Sequence, residues 1–224
     1  KLPVILHPRD WRHSFHWRIF RIMAEFVDGF QLLADFKKTV TLFGSAASKE
    51  TDHWYQVARD LARMLSQAGY SVVTGGGPGI MEAGNRGAGE GKNGDSIGLN
   101  IQLPNEQRVN RFVKKGHGFY YFFTRKVMLS FSAQAYVVFP GGYGTLDEAF
   151  ELLALIQTKK ISEKIPVILV GKEFWCDMDN WLRKTLLKEY KTIDPEDLKI
   201  YTIVDTAREA FEIIRKTKPR EEFR

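Results

Sequence analysis

Residues 139–148 read Phe139-Pro140-Gly141-Gly142-Tyr143-Gly144-Thr145-Leu146-Asp147-Glu148. A short apolar run, Ala135 to Phe139, leads into them. Thr145 then opens a stretch in which Phe150, Leu152, Leu153, Leu155 and Ile156 recur with helical spacing. The segment therefore reads as strand, glycine turn and helix. Such a turn aims backbone N–H groups and the positive end of the helix dipole at one point, which suits a phosphate. Glu148 falls in the first turn of the helix in this reading, so an acid lies beside the anion site. A site for phosphate alone gains nothing from a carboxylate there. The pairing points to phosphate as a handle and to Glu148 acting on what is attached to it. Thr145-Leu146-Asp147-Glu148 also matches a capping box, in which Glu148 closes back on the cap backbone. Local sequence does not choose between the two.

The same alternation extends in both directions. Upstream, Val40 to Phe43 reads as a strand, followed by Gly44-Ser45-Ala46 and a helix from about Asp52 to Gln67 that Gly69 terminates. Ser71 to Thr74 is a strand that enters Gly75-Gly76-Gly77-Pro78-Gly79 and a helix to about Gly89. Ser96 to Ile101 and the aromatic run Phe119 to Phe123 are further strands, the second with a helix from about Arg125. Downstream, Pro166 to Val170 and Ile200 to Val204 are strands, and Asp205 is placed to cap the last helix. Short strands that are apolar on both faces and separated by helices predict a Rossmann-like, doubly wound parallel sheet with helices on both faces. A helix from Ser14 to about Asp35 precedes the first strand, with Phe15, Ile19, Ile22, Met23, Phe26, Phe30 and Leu33 on one broad face. It lies outside the alternating unit, where it either wraps the core or packs on a second subunit. The expected division is an N-terminal helical extension (1–36), one nucleotide-binding catalytic domain (37–218) and a charged tail (219–224).

The chain has 224 residues, enough for one substantial core and too few for two large domains. The single cysteine, Cys176, gives neither a disulfide framework nor a thiolate metal set. No apolar run reaches membrane-spanning length and Lys1 to Arg12 lacks a signal-peptide core, so the expected location is the cytoplasm and no membrane partner is expected. The formal charge of +6, from 33 basic and 27 acidic residues, can steer small anions. The basic residues form isolated pairs, not a stripe interleaved with aromatics, so nucleic acid is not expected as the main ligand. The five histidines show no metal spacing, and no metal or cofactor is expected.

In open α/β sheets ligands bind outside the carboxyl ends of the strands, near a switch in strand order. The loops bearing Ser45, Gly76 and Gly141 and the segment Thr124-Arg125-Lys126 all follow predicted strands, so they can share one edge. Gly75 to Gly84 misses the dinucleotide fingerprint: Gly77 and Gly79 supply its first glycines, but Glu82 stands at the third position, and the loop follows the second strand. NAD binding is thereby disfavoured and phosphate binding remains, beside the plainer reading of a tight turn that needs positive φ. The loop at Gly141 lacks the lysine and spacing of a P-loop. Cations are disfavoured at a helix start, so Arg125-Lys126 needs a partner there, either a bound phosphate or Glu148.

Taken together, Gly-Gly-Gly-Pro-Gly-Ile-Met-Glu-Ala (75–83), Arg125-Lys126 and Pro-Gly-Gly-Tyr-Gly-Thr-Leu-Asp-Glu (140–148) resemble the LOG (Lonely Guy) family, over about Val40 to Val170. Its members are cytokinin riboside 5′-monophosphate phosphoribohydrolases, with relatives that hydrolyse ordinary nucleotides. Some carry an old label of lysine decarboxylase, which no residue here supports. The resemblance implies hydrolysis of the N-glycosidic bond of a nucleoside 5′-monophosphate to free base and ribose 5-phosphate, as in cytokinin biosynthesis, by a homo-oligomer, most simply a dimer. Carried over by position, it makes Arg125 and Glu148 the catalytic pair. Lys126, Gly142, Tyr143, Gly144 and Thr145 hold the nucleotide, and Glu106 contacts the substrate. Ser45, Gly76, Gly77, Gly79, Glu82 and Gly141 complete the candidate binding set. This chain has Asp147 where plant-type members often have glutamate, and Ala154 where they have threonine. The rival reading is a non-catalytic carrier of a nucleotide or phosphorylated cofactor on the same scaffold.

Overall fold

A computed structural model describes residues 15–102, 109–131 and 133–218. Seven strands form one parallel sheet: β1 (Thr39–Phe43), β2 (Ser71–Thr74), β3 (Ser96–Ile101), β4 (Lys115–Phe119), β5 (Tyr136–Val138), β6 (Val167–Val170) and β7 (Tyr201–Val204). Their spatial order is β4-β3-β2-β1-β5-β6-β7. The order runs one way from β1 to β4 and the other from β5 to β7, so the switch point lies between β1 and β5, which pair through Thr41–Tyr136, Leu42–Val137 and Phe43–Val138.

Side chains alternate across the pleat and need cover on both faces. On one face Val73, Ile97, Leu99, Tyr136, Val138 and Leu169 pack with α1 (Phe15–Ala34), α4 (Phe122–Phe131), α5 (Tyr143–Gln157) and α6 (Lys172–Trp181). On the other, Val40, Leu42, Val72, Val137, Ile168 and Val170 meet α2 (His53–Gln67), α3 (Ile80–Gly91) and α7 (Ala207–Ile214). A π-helical stretch, Leu182–Glu189, continues α6. The Rossmann-like doubly wound sheet read from the sequence is present.

Three local expectations are corrected. The aromatic run Phe119 to Phe123 is not a strand: β4 is Lys115–Phe119, Tyr120 and Tyr121 form a bend, and α4 already begins at Phe122. Apolar content misled the reading, because β4 is a glycine-containing edge strand while Tyr120, Phe122 and Phe123 are half exposed. Asp205 does not cap α7. Thr206 does, in a reciprocal capping box with Glu209, while Asp205 accepts from the Lys172 N–H at the start of α6, 2.8 Å away. Helix α5 begins at Tyr143 with Gly142 as its N-cap. Glu148 therefore stands in the second turn, not the first, and Thr145–Glu148 is not a capping box. Helical geometry is adopted two residues earlier because Tyr143 and Gly144 continue the turn into the helix.

The N-terminal helix does wrap the core at its inner end. Leu33 is buried, and Phe26 and Phe30 pack against the same cluster. Its first half stays outside, with Phe15, Phe20 and Met23 exposed. Ser14, the expected start of this helix, and the tail 219–224 lie outside the described residues.

Candidate functional site

The carboxyl ends of β1, β2 and β5 bring the predicted loops together at the switch point. The Ser45 N–H donates to the Pro140 carbonyl at 3.0 Å, and the Ser45 carbonyl accepts from the Ile80 N–H at 3.0 Å. Ser45 thus joins the loop after β5 to the start of α3. Two glycines are required by this closeness. Gly79 has φ +69, and a Cβ on it would collide with the Ser45 carbonyl oxygen. A Cβ on Gly141 would collide with Oγ1 of Thr145 and stand 2.9 Å from the Ser45 nitrogen. Gly142 and Gly144, by contrast, face open space, and Tyr143 between them is 93% exposed. The first turn of α5, with its N–H groups and positive dipole end, therefore opens onto this edge.

Helices α4 and α5 supply the charged side chains. Glu148 is 7% exposed, and Arg125 Nη2 stands 3.9 Å from its Oε1. Burial pushes the Glu148 carboxyl up to about 7, against the opposing pull of Lys126 and Arg125; Glu151 and Asp147 push it further the same way. Burial likewise lowers the Arg125 guanidinium from its usual value, partly offset by Glu148 and Asp147. Arg125 lies over the Phe122 ring at 4.8 Å. Its Nε is buried without a hydrogen-bond partner among the described residues. A Cβ on Gly75 would stand 3.3 Å from Arg125 Nη1, which places the guanidinium against the glycine loop after β2. Lys126 is engaged differently: its Nζ lies 2.7 Å from Asp147 and 3.0 Å from Glu151. Burial alone would lower its pKa, but these two hydrogen-bonded carboxylates raise it overall.

Of the candidate residues, the structure gathers Ser45, Gly79, Gly141, Thr145, Arg125 and Glu148 around one edge. Gly76 has φ +71, lies against Gly98 of β3 and accepts from the Asn110 N–H at 2.8 Å; Gly77 lies in the same loop. Lys126 faces α5, clasped to its carboxylates. Glu82 is drawn toward α2, its Oε1 accepting from the Tyr55 hydroxyl at 3.0 Å. Glu106 lies outside the described residues. Among the described residues no cluster of His, Cys, Asp or Glu is arranged to hold a metal ion.

Sequence reasoning missed the support beneath the glycine loop. Asn110 Nδ2 donates to the carbonyls of Gly76 at 3.1 Å and Gly77 at 2.9 Å, and to Asn85 Oδ1 at 2.9 Å. Asn85 Oδ1 also accepts from Thr74 Oγ1 at 2.7 Å, and the Gly76 N–H donates to that hydroxyl at 2.9 Å. Asn85 Nδ2 in turn donates to Ser96 Oγ and the Ile97 carbonyl. This buried network fixes the loop from below. The available signal was Asn85 itself, a polar residue on the otherwise apolar face of α3.

A family model described as possible lysine decarboxylase matches residues 81–214, more than half of the chain. The chain is 24% identical over 200 residues to the pyrimidine/purine nucleotide 5′-monophosphate nucleosidase of Escherichia coli (strain K12), a match that covers 78% of this chain and 37% of that relative. Among solved structures, it resembles the molybdenum cofactor binding protein from the phototrophic bacterium Rippkaea orientalis, with a TM-score of 0.59 and 20% identity over 80% of this chain and 96% of the other. It also resembles the molybdenum cofactor carrier protein of Chlamydomonas reinhardtii, with a TM-score of 0.57 and 19% identity over 80% and 97% of the two chains. At these identities the solved structures share the fold. No helix among the described residues is long and apolar enough to cross a membrane.

Proposed function

This chain belongs to the LOG family, the one matched as possible lysine decarboxylase, and from that premise we propose that it hydrolyses the N-glycosidic bond of a nucleoside 5′-monophosphate. The products are the free base and ribose 5-phosphate. The observation that carries the reading is Glu148: a buried carboxyl raised to about 7, beside Arg125, on the helix whose N-terminus opens at the switch point.

The chemistry follows from those positions. The 5′-phosphate binds at the first turn of α5 and the loop Gly141–Thr145, where N–H groups and the helix dipole favour an anion. Cleavage sends the bonding pair of the C1′–N bond to the base and leaves an oxocarbenium-like ribosyl centre. The ionised Glu148 stabilises that charge and takes a proton from the attacking water, whose oxygen bonds to C1′. The departing base is protonated, so the proton balance closes. A carboxyl that titrates near neutrality serves such transfer in both directions. Arg125, with an unpartnered buried Nε, grips the phosphate or orients Glu148.

The name of the Escherichia coli relative supports a nucleotide 5′-monophosphate substrate. The fold shared with molybdenum cofactor carriers supports the rival, a binding protein for a phosphorylated cofactor. A carrier has no use for a buried carboxyl held at its titration point beside the anion site. The test is release of ribose 5-phosphate from a panel of nucleoside monophosphates, with the matching nucleosides in parallel. Turnover of the monophosphates alone is expected, because binding energy from the phosphate is used at the reacting bond. Equal rates on adenosine and its monophosphate would remove the role given to the phosphate loop, and tight binding without any release would favour the carrier.

A further inference from the structure

Helix α1 lies outside residues 81–214, the span that the family model matches, yet one of its side chains reaches the helix that bears Arg125. Glu25 Oε1 accepts from the Tyr120 N–H at 2.7 Å, and its Oε2 accepts from the Tyr121 N–H at 3.3 Å and the Thr124 hydroxyl at 2.6 Å. Tyr120 and Tyr121 form the bend between β4 and α4, and Thr124 immediately precedes Arg125. A carboxylate from a different helix thus ties down the bend that leads into α4: it accepts from the N–H groups just before Phe122 and from the Thr124 hydroxyl, and its charge complements the positive end of the dipole.

The rest of the α1–α4 contact makes this attachment stiff. A Cβ on Gly29 would stand 2.7 Å from the Met128 sulfur and 3.2 Å from Phe119, so the two helices approach as closely as a glycine permits. Beside it, the Phe30 and Phe131 rings meet edge to face at 4.6 Å. Arg21 lies over the Tyr120 ring at 4.3 Å. Contacts advance in the same direction along both helices, from Glu25 and Thr124 through Gly29 and Met128 to Phe30 and Phe131.

Arg125 itself is weakly tethered. Its Nε has no partner among the described residues, and it stands 3.9 Å from Glu148, beyond hydrogen-bond reach. Its position is therefore set by the backbone of α4 and by packing on Phe122 and the Gly75 loop, and the start of that backbone is what Glu25 holds. Displacement of a catalytic group by about 1 Å costs on the order of a hundredfold in rate. We propose that Glu25 is a positioning residue for the Arg125–Glu148 pair, and that α1 is a structural arm of the site.

The test uses the full chain with Glu25→Ala and Glu25→Gln, the second keeping the shape and one acceptor oxygen. The first readout is the titration midpoint of the Glu148 carboxyl, followed by carbon-detected NMR without ligand. Burial sets this midpoint first, followed by the charges of Lys126 and Arg125 of α4 and of Glu151 and Asp147 of α5, so a shift of α4 that moves those two cations moves it. A change confined to global stability leaves it in place. The second readout, which rests on the hydrolysis proposed above, is the split between kcat and KM on a nucleoside monophosphate. Glu25→Ala is expected to move the Glu148 midpoint by about half a unit or more and to lower kcat about tenfold or more, with Glu25→Gln between it and the native protein. A folded Glu25→Ala protein whose Glu148 midpoint is unmoved overturns the assignment, whatever its rate. Should Glu25→Ala fail to fold, Glu25→Gln is read by the same criterion. A native protein that hydrolyses no nucleotide sinks the reaction, while the titration still reads the role of Glu25.

Discussion

Arg125 and Glu148 face each other across 3.9 Å from neighbouring helices, close enough for their charges to interact and too far apart for a direct hydrogen bond. Both are largely buried, and burial pushes each toward its neutral form: the carboxyl upward and the guanidinium downward. A structural ion pair would close that gap, since a carboxylate and guanidinium at bonding distance offset part of their desolvation. A pair held apart leaves donors and acceptors available to a third group.

Glu148→Gln is expected to abolish most turnover while the protein still folds and binds nucleotide. Loss of an electrostatic stabiliser of the transition state costs on the order of a hundredfold or more. Near-native hydrolysis by the variant would move the chemistry to another acid, with Glu82 and Glu106 next to be examined. The same variant has a signature in stability. The folded-state pKa of Glu148 is raised above its ordinary 4.5 to about 7. The folded protein therefore binds more protons than the unfolded chain between those values, and the carboxyl makes stability fall as pH rises through that window. Glu148→Gln removes this dependence. From pH 4 to pH 8 its stability relative to the native protein should improve by on the order of 3 kcal/mol, measured by urea unfolding at each pH. Equal pH dependence of the two proteins would show that Glu148 is not buried at a cost.

The pH–rate profile should carry the same midpoint. If the carboxylate form is the active one, kcat/KM rises with pH through about 7 and levels off above it, the limb belonging to Glu148 in the free enzyme. A profile flat from pH 5 to 8 would remove Glu148 from the proton balance.

Asn110→Ala tests the support beneath the glycine loop. It leaves the carbonyls of Gly76 and Gly77 without the side-chain donor and removes one bond from Asn85. The expected loss is about 1–3 kcal/mol of unfolding free energy, with weaker nucleotide binding by calorimetry because the loop is no longer held from below. Unchanged affinity would confine Asn110 to stability alone.

The exposed half of α1 bears on assembly. Phe15, Phe20, Met23 and Val27 are 56–70% exposed, and large exposed apolar side chains of this kind mark an interface. A homodimer is expected by light scattering at micromolar concentration, and Phe20→Asp with Val27→Asp is expected to yield monomers. A native monomer under those conditions would assign the surface another role.

Local sequence carried the order of elements well, because each depends on neighbours along the chain. Alternating apolar runs, Gly69 behind α2, and the glycine runs after β2 and β5 are short-range signals, and the parallel sheet follows from them. The same signals placed Arg125 and Glu148 near the starts of helices that one sheet edge gathers, since strands of a parallel sheet share a direction. Tertiary structure decided the rest. Phe119 to Phe123 had the composition of a strand, but the edge position of β4 and the Glu25 carboxylate made Tyr120 and Tyr121 a bend before α4. Glu25 lies 99 residues from Thr124, so no periodicity could relate them. Thr145 and Glu148 had capping-box spacing, yet α5 starts at Tyr143. What a sequence determines is which residues each segment offers. How strongly a carboxyl is desolvated, and which cations face it, depends on packing between segments; Glu148 acquires its titration near neutrality from burial that only the assembled fold supplies.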